Sequence, residues 1–178
     1  MNFQIRTARI SDKDSIESLI RESVQKLGAS DYSSEQIEGA LKTAWGLDTQ
    51  LITDRTYFVV ELNQLIVGCG GWSFRDTLFG NDRKENRRSN RIDPKTGAAK
   101  IRAFFVSPSF SRRGIASMIL KKCEDEATRE GFRKLELMAT LPGKRRYEKH
   151  GYIAVESIHY SLGEHLSIEF IPMKKRFS

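Results

Sequence analysis

From Ile115 to Ala127 apolar positions recur at steps of three and four, through Met118, Ile119 and Cys123, while Lys121, Lys122, Glu124 and Arg129 fall mainly between them. This spacing predicts an amphipathic helix, with Gly131 as its C-cap. An apolar run, Ile101 to Val106, precedes it. After it, Lys134 to Thr140 alternates Leu135, Leu137 and Ala139 against Glu136, Met138 and Thr140. Strand, helix and strand in that order predict a βαβ unit. Upstream, Ser11 is the expected N-cap of a helix through about Leu27, with Asp12 and Asp14 in its first turn and Ile16, Leu19, Ile20 and Val24 on one face. Ser34 opens a second helix, about Glu35 to Trp45. Met1 to Arg9 alternates like a strand, and Tyr57 to Glu61 and Leu65 to Phe74 read as strands joined by an Asn63-Gln64 turn. Gly70-Gly71, inside the last of these, predicts a bulge or a close backbone approach.

Only Arg75 to Ala98 lacks apolar periodicity. Dense in Arg, Lys, Asn and Asp and ending in Asp93-Pro94-Lys95-Thr96-Gly97, it reads as a long basic loop. A connection of that length is usually functional or disordered. A run of charges is read first as a solvated loop and second as a substrate-recognition element.

The chemistry concentrates in residues 101–117, Ile-Arg-Ala-Phe-Phe-Val-Ser-Pro-Ser-Phe-Ser-Arg-Arg-Gly-Ile-Ala-Ser. The first turn of a helix carries backbone N–H groups without intrahelical partners and the positive end of the helix dipole. Gly114 admits an anion close to that backbone, Arg112 and Arg113 add donors and charge, and Ser111 and Ser117 are small enough to cap or touch it. A phosphate or pyrophosphate suits this cradle. No G-x-x-x-x-G-K-[ST] occurs in the chain, and the loop has one glycine where a dinucleotide fingerprint needs three, which excludes a P-loop nucleotide and NAD.

The run Ala99 to Pro108 followed by Arg112-Arg113-Gly114-Ile115-Ala116 resembles the acyl-CoA signature of the GNAT-superfamily N-acetyltransferases, [QR]-x-x-G-x-[GA]. Gly114 and Ala116 match its last two fixed positions; Ser111 stands where the family prefers Gln or Arg. Downstream, Leu141 to Tyr152 is similar to the family's short helix with Tyr followed by Gly-[FY], and Tyr147 falls where many members carry the general acid. His159 to Leu162 and Leu166 to Met173 fit two closing antiparallel strands. The resemblance implies an α/β (α+β) fold, with a mixed, mostly antiparallel central sheet of six to seven strands flanked by helices, and residues 1–178 as one GNAT-like domain.

Composition agrees. With 178 residues, 39% hydrophobic and 30% charged, the chain suits one globular core. Met1 to Arg9 lacks the apolar run of a signal peptide and no later stretch is long enough to span a bilayer, so the expected location is cytoplasmic. Cys69 and Cys123 lie among apolar residues and are expected to be reduced, buried and inert. His150, His159 and His165 are not at metal-ligand spacing, so no metal is expected. A net charge of +7, with pI near 9.5, raises a nucleic-acid reading. Its basic clusters, Arg83 to Arg91, Arg112-Arg113, Lys144 to Arg146 and Lys174 to Arg176, join no RNP, zinc-finger or helix-turn-helix signature. Nucleic acid is therefore not the expected partner.

What the resemblance implies is direct transfer of an acetyl group from acetyl-CoA to a primary amine. Pantetheine would pair with backbone along Phe104, Phe105 and Val106, and residues Arg112, Arg113, Gly114, Ile115, Ala116 and Ser117 would hold the pyrophosphate. A backbone N–H near Phe105 or Val106 would stabilise the oxyanion, and Tyr147 would protonate the leaving thiolate. Read alone, Tyr147 is a packed aromatic; its Gly151-Tyr152 context makes it the acid. Glu136, Asp76 and His159 are weaker candidates for the base. The acceptor, a small-molecule or a protein amine, stays open, as does a homodimer. Two alternatives remain: a non-catalytic acyl-CoA-binding module and, below it, a basic nucleic-acid-binding protein.

Overall fold

The computed structural model describes residues 1–84 and 89–177. The centre of the basic run, residues 85–88, and residue 178 lie outside the described residues. Eight strands form one sheet: β1 (Gln4–Thr7), β2 (Tyr57–Leu62), β3 (Leu65–Ser73), β4 (Ala99–Val106), β5 (Lys134–Ala139), β6 (Ile153–Ala154), β7 (Ile158–Gly163) and β8 (Leu166–Arg176). Their order is β1-β2-β3-β4-β5-β8-β6, with β7 also on β8. β4 and β5 are parallel and the other named pairs antiparallel. The two-residue β6 takes the count beyond the expected six to seven.

Five helices flank the sheet: α1 (Lys13–Leu27), α2 (Ser34–Thr43), α3 (Thr49–Thr53), α4 (Ile115–Arg129) and α5 (Lys144–Lys149). In β2, Tyr57 and Val59 join the core under α1 to α3, and Phe58 and Val60 the core under α4. Period-2 alternation therefore separates two cores, one on each face of the sheet. Among the described residues no helix is long and apolar enough to cross a membrane.

Several local expectations are corrected. Ser11 does not cap α1; it sits in a 3-10 turn, Ile10–Asp12, and Asp12 holds the N-cap position. The cap of α2 is Ser33 rather than Ser34. Its hydroxyl accepts from Gln36 N–H at 3.1 Å, while Gln36 Oε1 accepts from Ser33 N–H at 2.9 Å, a reciprocal capping box. In α4 the buried stripe is Ile115, Ala116, Ile119, Leu120, Cys123 and Ala127, and Met118 lies outside it, 36% exposed. That helix ends in a Schellman motif, with Phe132 N–H on Ala127 O and Gly131 N–H on Thr128 O, both 3.0 Å, and Gly131 at φ +93°. The Asn63-Gln64 turn has φ +50° and +66°, as a two-residue hairpin of matching twist requires.

Candidate active site

β4 and β5 pair only at Ala99↔Leu135 and Lys100↔Glu136 and then part. Beyond that point the β5-facing edge of β4 has no neighbouring strand. The opposite edge is bulged: Cys69 pairs Phe105 and Gly71 pairs Arg102, so Gly70 alone faces Ala103 and Phe104. Ala103 adopts φ +54° there, and Tyr57 Oη–H donates to its carbonyl at 2.8 Å. A Cβ on Gly70 would stand 2.7 Å from the Phe104 ring, and one on Gly71 2.5 Å from Thr56 O. The glycine pair thus supplies both the bulge and the close approach that its position suggests.

The bulge sets which amides face the gap. Ser107 N–H donates to Val67 O at 2.9 Å, and strand alternation then turns Phe105 toward β3 and Val106 away from it. Of the two candidate oxyanion donors, Val106 is the one facing the gap.

Below β4 the chain forms a 3-10 turn, Pro108–Phe110, and enters α4 through Gly114 at φ +83°. Arg112 is also left-handed, at φ +62°. The first bond of the helical ladder is Met118 N–H to Gly114 O, 2.9 Å, so the N–H groups of Ile115, Ala116 and Ser117 precede it. A Cβ on Gly114 would meet nothing within 4 Å. The space beside Gly114 is therefore open, and the three donors at the helix N-terminus suit an anion. Ile115 and Ala116 pack their side chains into the core, leaving their backbone to act. A Cβ on Gly68 would lie 2.4 Å from Ile115 Cγ2, so this glycine lets α4 settle against β3. Arg112 and Arg113 are exposed, but Arg113 reaches Met1 Sδ at 3.0 Å and lies 5.6 Å from the Phe110 ring centre, turned to the N-terminus. Ser117 Oγ is 2.9 Å from His150 Nε2, which ties the cradle to the end of α5.

Two cavities follow the parting strands. One is bordered by Phe104, Phe105, Leu137, Met138, Arg146 and Tyr147 among others. The second shares Trp45, Phe104, Phe105, Thr140, Gly143 and Arg146 with it and opens toward α1. Tyr147 is 8% exposed, with ring centres 6.4 Å from Phe104 and 5.8 Å from Tyr152 in edge-to-face contact. Among the described residues its hydroxyl has no hydrogen-bond partner. Burial pushes its pKa up to about 12, so the phenol stays protonated at neutral pH.

None of the three base candidates borders these cavities. Burial pushes the Glu136 carboxyl up, but the hydrogen bond from Lys100 and the charge of Lys174 outweigh it and hold the group below the usual range. Asp76 accepts from Asn90, and His159 is exposed on β7. Cys69 and Cys123 are buried and free, and burial pushes the Cys69 thiol up to about 12. Among the described residues no three His, Cys, Asp or Glu side chains group to hold a metal.

Part of the basic loop proves to be a wall. Leu78, Phe79 and Gly80 border the first cavity, and Phe79 stacks on Tyr160 and Phe170 at 5.0 and 5.2 Å. Asn81 is buried, donating to Leu41 O and Trp45 O at 3.0 and 2.7 Å. Arg102 of β4, also buried, donates to Thr77 O, Gly80 O and Asp48 Oδ2 at 3.1, 2.8 and 3.0 Å. This segment is anchored, not solvated. Arg102, Asp48, Asn81 and Trp45 carry no local sequence signal for the site, because long-range contacts bring them to it.

A family model described as "Acetyltransferase (GNAT) family" matches residues 20–152. The chain belongs to the GNAT acetyltransferase family. It is therefore an acyltransferase, and the acyl donor of GNAT acetyltransferases is acetyl-CoA. No curated protein matches the sequence. Among solved structures, a GCN5-related N-acetyltransferase from Rhodopseudomonas palustris is similar at TM-score 0.72 and 17% identity, over 98% of this chain and 95% of that one. The PaiA N-acetyltransferase from Thermoplasma acidophilum, in complex with coenzyme A, is similar at TM-score 0.66 and 15% identity, over 99% and 100%. The ribosomal-protein-S18-alanine N-acetyltransferase from Escherichia coli follows at TM-score 0.62 and 13% identity, over 99% and 95%. At these identities the likeness is one of fold. For a GNAT chain, the open helix N-terminus at Gly114 and the unpaired β4 edge fit a pyrophosphate and an amide-bearing arm, respectively.

Proposed function

We propose that this chain, with residues 1–178 acting as one domain, is an N-acetyltransferase that moves acetyl from acetyl-CoA directly to a primary amine, with Tyr147 as general acid. The observation that carries the reading is the parting of β4 from β5, which leaves a backbone edge running between the Gly114 cradle and the cavity bordered by Tyr147. Acetyl-CoA, when bound, supplies a thioester carbonyl reactive toward a neutral amine.

The residues divide the work. The N–H groups of Ile115, Ala116 and Ser117, with the charge of Arg112, hold the pyrophosphate. Phe104 and Val106 offer backbone groups to the pantetheine amides, and Val106 N–H donates to the oxygen on which negative charge develops. Tyr147 holds a proton at Oη and releases it to the departing sulfur. Among the described residues no Asp, Glu or His borders either cavity, which favours water or a backbone carbonyl as acceptor of the amine's proton.

The test is thiol release from acetyl-CoA with a panel of amines, for the native chain and Tyr147→Phe. The substitution is expected to lower kcat by about 10²–10⁴-fold while CoA affinity stays within about threefold. An unchanged kcat removes Tyr147 as the acid. CoA binding without turnover on any amine favours the non-catalytic module.

A further inference from the structure

The cavities that would take the acceptor have an unusual charge balance. Among the described residues their lining is mostly aromatic and aliphatic, with two cations and no carboxylate. One cation, Arg102, is engaged with Asp48 and the carbonyls of Thr77 and Gly80. The other, Arg146, borders both cavities and makes no ion pair among the described residues. Trp45 also borders both, is 7% exposed, and its indole Nε1–H is buried without a partner among the described residues. A buried unpaired donor is costly and calls for an explanation, which a ligand oxygen provides.

We propose, resting on the transferase reading above, that the acceptor is an amine that also carries a carboxylate next to an apolar group, as an aliphatic or aromatic amino acid does. Arg146 binds the carboxylate, Trp45 Nε1–H donates to one of its oxygens, and the aromatic lining takes the apolar group. Arginine is the side chain whose planar fork matches a carboxylate. A polyamine or aminoglycoside would bring further ammonium groups into cavities without a counter-charge, losing hydration with no compensation. Asp48 is taken up by Arg102, and Asp14, Glu17 and Asp82 lie in the neighbouring outer cleft beside Lys13, Arg21 and Arg83. A protein N-terminus has no carboxylate beside its amine.

The experiment titrates the CoA-loaded protein calorimetrically with leucine, leucinamide, 3-methylbutylamine, phenylalanine and spermidine, and measures thiol release from acetyl-CoA with each. Leucine or phenylalanine is expected to bind about 10- to 100-fold tighter than the amide or the decarboxylated amine, the range for a charge-assisted contact. Arg146→Gln should abolish that preference by raising acceptor KM with little change in kcat, and Arg146→Lys should restore part of it. Trp45→Phe should lower acceptor affinity about 2- to 10-fold while CoA affinity stays within about threefold. Comparable turnover of leucinamide or spermidine, or an unchanged preference in Arg146→Gln, overturns the proposal while leaving the transferase reading standing. Failure of CoA to bind, with no amine acetylated, overturns both.

Discussion

Arg102→Met probes the buried ion pair that holds the acceptor-side wall. Arg102 and Asp48 have side chains 2% and 4% exposed and meet at 3.0 Å, and the same guanidinium donates to Thr77 O and Gly80 O. Methionine conserves much of the volume but leaves Asp48 without the arginine in a dry setting and two carbonyls without that donor. Removing one partner of a buried pair costs about 3–5 kcal/mol. For a chain of this size that lowers Tm by roughly 6–20 °C. The freed segment includes Leu78, Phe79 and Gly80, which border the cavity beside Tyr147, so acceptor KM should rise while CoA affinity holds. The assay is urea unfolding of Arg102→Met, Asp48→Asn and the double variant, alongside steady-state kinetics. Asp48→Asn should cost much less when Arg102→Met is already in place than alone, since it then removes the stranded charge, giving a coupling of about 0.5–3 kcal/mol. Loss of less than about 1 kcal/mol in Arg102→Met, or strict additivity, would refute the reasoning.

Two further outcomes concern the reacting centre. Gly70→Ala sets a methyl 2.7 Å from the Phe104 ring, which touches Tyr147, and should cost about 1–3 kcal/mol in stability together with a measurable fall in kcat; wild-type values for both would contradict the packing. The Tyr147 pKa is raised from 10.0 to about 12, so its neutral form stabilises the fold fully below pH 10, and that contribution is lost as pH rises from 10 toward 12, by at most about 1.4 kcal/mol per pH unit. The acid should therefore stay competent through pH 10, and an alkaline fall in kcat near pH 8–9 that Tyr147→Phe abolishes would contradict this.

Strong local periods were readable from the chain. The α1 face, the strand-helix-strand unit around α4 and the glycine that opens it each follow from residues a few positions apart. Short elements were not: α3 has five residues and β6 two, too few for a period to register. Met118 shows the limit of spacing, because Ala116 and Leu120 take the buried face and leave it outside. The Ser33 to Gln36 capping box was present in the sequence, one residue ahead of Ser34, and two adjacent serines offer the cap no local means of choosing between them. The site divides in the same way. Gly114 and Tyr147 carry motif signals, whereas Arg102 finds Asp48 across 54 positions and Phe79 stacks on strands near the C-terminus. The choice of Val106 over Phe105 depends on a bulge, which fixes amide direction only once both strands are paired.

The account turns on an acyl-CoA phosphate resting on the helix that begins after Gly114. Calorimetric titration of CoA into the native chain, Gly114→Ala and Gly114→Val measures it directly. A side chain there must adopt φ +83°, which costs roughly 1–2 kcal/mol and works against the turn that sets the donors of Ile115, Ala116 and Ser117. CoA affinity should fall about 10-fold in Gly114→Ala and further in Gly114→Val, with far-UV circular dichroism unchanged. CoA binding equal to the native chain in both variants would contradict the assignment of the cradle.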